Sequence, residues 1–264
     1  MRTIFSKPLP PSPKIIYIGV CGAGGLLDAN ECYTHGGWYD PATIPAFAYD
    51  NPLRDDDLND IALTVNSGLD SIGLRIGALF TNSVTIVAGF DLGLAPFGSS
   101  VVTDLVRSFY VPGDQIYLAG HSMGGYIVDN VAAALKRAKV PVQAVLQLDS
   151  VRPSKAIALP PPSIPSNVHR AFNVYHSCDL SACPICGYST IVTTASTVVS
   201  NLAIVAPEGP DTLAGCGPHR NMDNDPRGWR PFMDYIIATF SNTVHASVAV
   251  TRKTTTRENT QSLE

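Results

Sequence analysis

Six apolar runs of strand length recur along the chain, separated by longer segments in which apolar residues return every three or four positions. The runs lie at 14–20, 83–90, 114–120, 141–148, 169–176 and 201–207. They do not alternate strictly between apolar and polar residues, which is typical of strands buried on both faces of a parallel sheet. The pattern therefore predicts a parallel sheet at the centre of the molecule.

The intervening segments have the spacing of amphipathic helices. Helices are predicted at 56–80, 98–110, 123–139 and 225–240. The third segment ends on Lys136, Arg137 and Lys139, and cations are favourable at a helix C-terminus. Strands that alternate with helices in this way predict an α/β fold, with a mostly parallel central sheet covered by helices on both faces.

The chain has 264 residues, a length that one α/β domain commonly reaches. We assign residues 14–241 to this domain. Residues 1–13 are rich in proline and predict a flexible leader, and residues 242–264 are rich in Thr and charged residues and predict a disordered tail. The aromatic, proline-interrupted segment 32–57 predicts a loop or lid.

Composition narrows the classes of function. The net charge is −4 with no basic face, so nucleic acid is not an expected partner. No apolar run reaches the ~18–20 residues that would cross a bilayer. The start of the chain has no apolar segment of the kind found in secretory signals, so no such signal is predicted. Six cysteines are compatible with the disulfides of a secreted protein or with buried thiols, so the compartment stays open. They are Cys21, Cys32, Cys178, Cys183, Cys186 and Cys216.

One pentapeptide carries candidate chemistry. Gly120-His121-Ser122-Met123-Gly124 fits the pattern G-x-S-x-G and lies between a predicted strand and a predicted helix. A strand that turns at once into a helix forces the central residue into a strained conformation, and glycines two positions away avoid a clash of Cβ atoms. This bend would hold the Ser122 hydroxyl out at the end of the sheet. The alternative is a glycine-rich turn that buries an inert serine.

With this motif in this context, the chain resembles the α/β-hydrolase superfamily, in particular its lipase and esterase branch with a GHSMGG elbow. The resemblance extends over roughly residues 14 to 241 and implies the family sheet without its two N-terminal strands. It implies a serine hydrolase that forms an acyl-enzyme on Ser122, needs no cofactor and cleaves a small-molecule ester with an apolar acyl group. A thioesterase and a non-catalytic binding protein of the same fold are the alternatives.

The resemblance also implies a histidine base after the serine and the acid in the chain. His219 follows the last predicted strand and precedes the last predicted helix, where the family places its base. The alternative for His219 is a surface histidine in a polar loop. The other histidines fit less well, because they precede Ser122, lie inside the elbow, flank a strand or lie in the tail; they are His35, His121, His169, His176 and His245.

Two aspartates are candidates for the acid. Asp149 directly follows the strand 141–148, so its carboxylate would be rigidly aimed. Asp179 follows the next strand, in a cysteine-bounded loop, at the position that is commoner in the superfamily. Both would lie at the carboxyl ends of strands, where sheets of this type build their sites. We favour Asp149 and keep Asp179 as the alternative.

For the oxyanion of the acyl-transfer reaction, the resemblance implies two backbone N–H donors. One is that of Met123, and the other comes from the loop after the first strand, where we select Ala23. That loop is not a good dinucleotide fingerprint, since Leu27 replaces the third glycine. An acyl pocket is expected from aromatic residues of the following segment, namely Trp38, Tyr39, Phe47 and Tyr49.

The cysteine cluster near the C-terminal third allows a competing hypothesis. Together with His219, four cysteines would supply the ligand types of a zinc site, and such a site would remove His219 from catalysis. They are Cys178, Cys183, Cys186 and Cys216. The four do not form two standard C-x2-C pairs, so we expect disulfides or buried thiols and no bound metal.

Overall fold

The structure is a computed structural model that describes residues 13–20, 68–80, 82–88, 95–151, 163–176, 187, 189–194, 196–205, 207, 217–222 and 225–240. In chain order, its elements are β1 Ile15–Val20, α1 Gly68–Leu79, β2 Ser83–Ala88, α2 Ala95–Phe109, β3 Gln115–His121, α3 Met123–Arg137, β4 Val142–Leu148, β5 Ser163–Ile164, β6 Val168–His176, β7 Val192–Thr193, β8 Val198–Ile204 and α4 Gly217–Asn221. A last helix, α5, covers 226–240. The predicted leader up to residue 12, the segment 32–57 and the tail 242–264 lie outside the described residues.

Six strands form one sheet in the order β2-β1-β3-β4-β6-β8. Every neighbouring pair in it is parallel. The predicted class is therefore confirmed: an α/β fold with a mostly parallel central sheet. Because all six strands run the same way, their carboxyl ends lie along one edge of the sheet, and the chain places its candidate site there.

Helices cover both faces of this sheet. Successive strand residues point to opposite faces, so each strand contributes to the core on both sides. In β1, Ile15 and Tyr17 join the core cluster that includes residues of α1 and α5. Ile16 and Ile18 join the cluster that includes residues of α2 and α3. The continuous apolar runs of the sequence are thus strands with two buried faces. None of the described helices is both long and apolar enough to cross a bilayer.

The last strand differs from its prediction. It was expected at 201–207 but runs from Val198 to Ile204. Polar residues in its middle break the apolar run, yet they pair with the neighbouring strand: Asn173 Nδ2 donates to Asn201 Oδ1 at 3.1 Å. Hydrogen bonding across the strands, rather than apolar burial, defines this edge of the sheet, so the apolar pattern misplaced it by three residues. The first predicted helix is described only from Gly68 onward.

Candidate active site

Ser122 occupies the bend between β3 and α3, with φ 54° and ψ −124°. A non-glycine residue in this region costs of order 1–3 kcal/mol, which the surrounding structure must offset. Three backbone hydrogen bonds hold the bend: Ser122 N–H donates to Leu148 O at 3.0 Å, and Ser122 O accepts from Gly125 at 3.2 Å and Val151 at 3.0 Å. The hydroxyl is therefore carried on a fixed backbone.

The first glycine of the pentapeptide is required by close backbone contacts. A Cβ on Gly120 would lie 2.4 Å from the backbone C and O atoms of Gly124. The next glycine, Gly125, is equally confined, because its Cβ would lie 2.2 Å from Ser150 Oγ. Strand and helix thus pass each other where any larger residue would push them apart. This is the physical basis of the G-x-S-x-G spacing.

The Ser122 hydroxyl does not serve the helix it precedes. A serine at the N-cap usually accepts a backbone N–H of the first turn, but Ser122 makes no such side-chain hydrogen bond. Its Oγ lies instead 2.9 Å from His219 Nε2. The second ring nitrogen, His219 Nδ1, lies 2.5 Å from Asp149 Oδ2. The three side chains form one continuous line of hydrogen bonds, and all three residues are buried.

Within the part of the chain that the structure describes, the Asp149 carboxylate accepts four hydrogen bonds. Oδ2 accepts from His219 Nδ1 and from His176 Nδ1, each at 2.5 Å. Oδ1 accepts the backbone N–H groups of Gly187 at 3.0 Å and His176 at 3.2 Å. An ionised carboxylate has about four lone-pair sites, so this one is fully occupied. Only a glycine fits at position 187 beside this carboxylate, since a Cβ there would lie 2.2 Å from Oδ1.

These contacts determine the charge of Asp149. Burial works to raise its pKa, but the hydrogen bonds from His176 and His219 outweigh burial and hold the pKa of Asp149 well below its ordinary value. The carboxylate is therefore ionised and acts only as an acceptor. It follows that both imidazoles carry a proton on Nδ1.

Burial also governs His219. Desolvation lowers the pKa of its ring, the hydrogen bond to Asp149 opposes this, and repulsion from His121 and His176 adds to the lowering. The net pKa lies below the ordinary imidazole value of 6.5. At neutral pH the ring is thus neutral, with its proton on Nδ1 and its lone pair on Nε2. Nε2 then accepts from the Ser122 hydroxyl, which is the arrangement a general base requires.

His121 joins the elbow to the segment that carries His219. Its ring is buried, and its Nε2 lies 2.8 Å from the backbone O of His219. A carbonyl oxygen only accepts, so His121 Nε2 is protonated and donates. The prediction that this side chain faces into the fold agrees with its burial. Through this bond, the residue next to the serine positions the short helix α4.

Within the described residues, the metal-ligand types that cluster are Asp149, His176 and His219, with donor atoms within 4.8 Å of one another. Oδ2 lies 2.5 Å from each Nδ1. Ligands of a tetrahedral zinc ion with bonds of 2.0–2.1 Å stand about 3.3 Å apart. The spacing is therefore that of direct hydrogen bonds. The four cysteines of the zinc hypothesis lie outside the described residues, and so do Cys21 and Cys32.

The remaining predicted site residues divide into two groups. Met123 lies at the start of α3, buried beside Ser122. Ala23, the alternative acid Asp179 and the four aromatic residues of the expected acyl pocket lie outside the described residues. His176 is the site residue that sequence reasoning passed over. It ends β6, whose Val174 is in register with Leu148 of β4, so the convergence of neighbouring strand ends was the available signal.

No protein-family model matches this chain, and no curated protein matches it. Among solved structures, the chain is similar to human thioesterase 2, with 12% sequence identity, 87% of this chain and 97% of that chain covered, and a TM-score of 0.38. It is also similar to RedJ, a thioesterase from the prodiginine biosynthetic pathway in Streptomyces coelicolor, with 14% identity, 74% and 83% coverage and a TM-score of 0.30. A second RedJ structure, with a PEG molecule in its active site, has 15% identity, 77% and 87% coverage and a TM-score of 0.32.

Proposed function

We propose that this protein is a serine hydrolase that cleaves carboxylic esters through an acyl-enzyme on Ser122, with His219 as general base and Asp149 as the acid. One observation carries the proposal: Ser122 Oγ lies 2.9 Å from His219 Nε2, while His219 Nδ1 lies 2.5 Å from Asp149 Oδ2. Nucleophile, base and orienting group are thereby joined in the order that acyl transfer requires.

In the first half of the reaction, Ser122 Oγ attacks the ester carbonyl as its proton passes to His219 Nε2. Asp149 stabilises the imidazolium and keeps the Nδ1 proton in place. The tetrahedral intermediate then expels the alkoxide, which takes the proton from Nε2 and leaves as an alcohol. In the second half, water gives its proton to His219 and attacks the acyl-enzyme, and collapse returns a proton to Ser122 Oγ with release of the acid.

The negative charge that develops on the carbonyl oxygen needs donors that are already in place. The backbone N–H of Met123 is one candidate, because it opens α3 directly beside Ser122. The first N–H groups of a helix have no intrahelical partner, and the helix dipole favours an anion there. The second donor in this proposal is Ala23. Loss of one such donor typically lowers kcat about 10²- to 10³-fold.

The acyl group is proposed to be apolar. The support is compositional: Trp38, Tyr39, Phe47 and Tyr49 follow the loop that supplies the second oxyanion donor. Whether the leaving group is an alcohol or a thiol is a separate question. Matched oxygen esters and thioesters of one acyl chain separate the esterase from the thioesterase, since the larger kcat/KM identifies the leaving group.

Covalent labelling with a fluorophosphonate tests the nucleophile, because this probe reacts with a serine only when a base activates it. We expect stoichiometric labelling of the wild type and none of Ser122→Ala. Ser150→Ala is the matched control: this serine is buried nearby, against Gly125, but lies outside the line of hydrogen bonds to His219. A folded wild type that resists the probe would instead support the non-catalytic binding protein.

A further inference from the structure

The line of hydrogen bonds at Ser122 contains one histidine more than acyl transfer needs. His176 ends β6 and directs Nδ1 to the same Asp149 oxygen that His219 uses, at the same distance of 2.5 Å. Both residues are buried. A second imidazole on this oxygen restrains the carboxylate, and it shares with His219 the oxygen that His219 binds.

His176 holds both oxygens of the carboxylate at once. Its ring Nδ1 donates to Oδ2, and its own backbone N–H donates to Oδ1 at 3.2 Å. A donor on each oxygen from one residue opposes rotation of the carboxylate plane. The backbone beneath is fixed too, because Asp149 N–H donates to Val174 O at 2.6 Å and the residue has φ 46°. Oδ2 is thereby aimed at His219.

We propose that His176 is a positioning residue, which fixes the Asp149 carboxylate against His219. The inference rests on the proposed function, because it treats His219 as the base. His176 acts through Asp149 and needs no contact with substrate. Its ring must carry the proton on Nδ1, since Oδ2 belongs to an ionised carboxylate.

Among the described residues, three titratable groups face His219, each from a different part of the sheet. His121 ends β3, Asp149 follows β4, and His176 ends β6. Asp149 favours the protonated form of His219, whereas His121 and His176 oppose it by repulsion. Without the His176 ring, the repulsion decreases and Asp149 Oδ2 is no longer shared. Both changes act in the same direction and make His219 easier to protonate.

Two substitutions separate the roles of His176. His176→Asn keeps an N–H donor close to the position of Nδ1 but removes the titratable ring, whereas His176→Leu removes both and keeps the bulk. We expect His176→Leu to lower kcat about 10- to 100-fold with little change in KM, because the Asp149 carboxylate is no longer held in the orientation in which Oδ2 accepts from His219. His176→Asn should recover most of kcat. In both variants, the acid limb of kcat/KM should move to higher pH.

Equal values of kcat in the two variants, or an acid limb that coincides with that of the wild type, would overturn the proposal. A measurement on the unaltered protein covers the case of a variant that does not fold. With 15N-labelled histidines, two-bond 15N–1H correlations assign the tautomers. We expect protons on Nδ1 of His176 and His219 and on Nε2 of His121. A neutral His176 that carries its proton on Nε2 refutes the assignment whatever the activity.

The two levels of inference fail separately. If Ser122 resists the fluorophosphonate while the NMR tautomers are as expected, the hydrolase proposal is wrong and the hydrogen-bonded His176–Asp149–His219 cluster still stands. If Ser122 is labelled but His176 lacks the Nδ1 proton, the hydrolase stands and the positioning role is wrong.

Discussion

Asp149→Asn is the sharpest perturbation of the proposed mechanism, because the surrounding hydrogen bonds dictate how the new amide must lie. The backbone N–H groups of Gly187 and His176 both point at the Oδ1 position. The amide oxygen of Asn must therefore take that position, which leaves the NH2 group where Oδ2 accepted from two imidazoles. A donor then faces two donors, a pairing that cannot persist.

The neutral His219 ring relieves its conflict with the amide by moving its proton from Nδ1 to Nε2. For His219, the proton on Nε2 then faces Ser122 Oγ, 2.9 Å away, and the ring can no longer accept the serine proton. A wrong tautomer of this kind lowers kcat about 10⁴-fold, equivalent to about 5.4 kcal/mol of transition-state stabilisation. We expect a loss of this size with the fold retained.

The assay is steady-state hydrolysis of a p-nitrophenyl ester, with circular dichroism and a thermal melt to verify folding. Asp114→Asn is the matched control, since Asp114 is a buried carboxylate that accepts Lys14 N–H at the opposite end of β3. It should lower stability without a comparable loss of kcat. The reasoning is refuted if folded Asp149→Asn stays within tenfold of the wild type, or if Asp179→Asn causes the larger loss.

Three further predictions concern the elbow and the pH dependence. Gly120→Ala places a Cβ 2.4 Å from backbone atoms of Gly124 and should lower the free energy of unfolding by about 3 kcal/mol or more in chemical denaturation. The control is Gly77→Ala in α1, where a Cβ meets nothing within 4 Å and should raise that free energy by about 0.5–1 kcal/mol. Similar effects at the two sites would contradict the close contact. The acid limb of wild-type kcat/KM should have its midpoint below pH 6.5, since burial depresses the pKa of His219, and a midpoint above that value would show that the ring is not desolvated. The unfolded state binds protons more readily at both His219 and Asp149, so the free energy of unfolding should fall as pH drops below about 6.5 and again below about 3.8. In thermal melts at different pH, His219→Asn should flatten the first decline, and an unchanged slope would assign that decline to other groups.

The sheet was predictable from the sequence because its signal is local. A strand buried on both faces must be apolar at successive positions, so β1, β3 and β4 can be located from their own residues. The serine was predictable for the same reason: glycines, bend and hydroxyl lie within five consecutive residues. Where a strand depends on a neighbour, as β8 does through its polar cross-strand pairs, the local pattern misplaced it by three residues.

The rest of the site was decided by the tertiary structure. The serine and its base are 97 positions apart in the chain. No local pattern carries the distances between the four site residues, which are Ser122, Asp149, His176 and His219. The sequence placed Asp149 at a strand end and His219 between the last strand and the last helix, but it treated His176 as a residue that merely flanks a strand. Only the parallel register of β4 and β6 places the carboxylate of one strand end beside the imidazole of the next. The chemistry of each residue is thus a property of the sequence, whereas their union on one carboxylate follows from the packing of strands far apart in the chain.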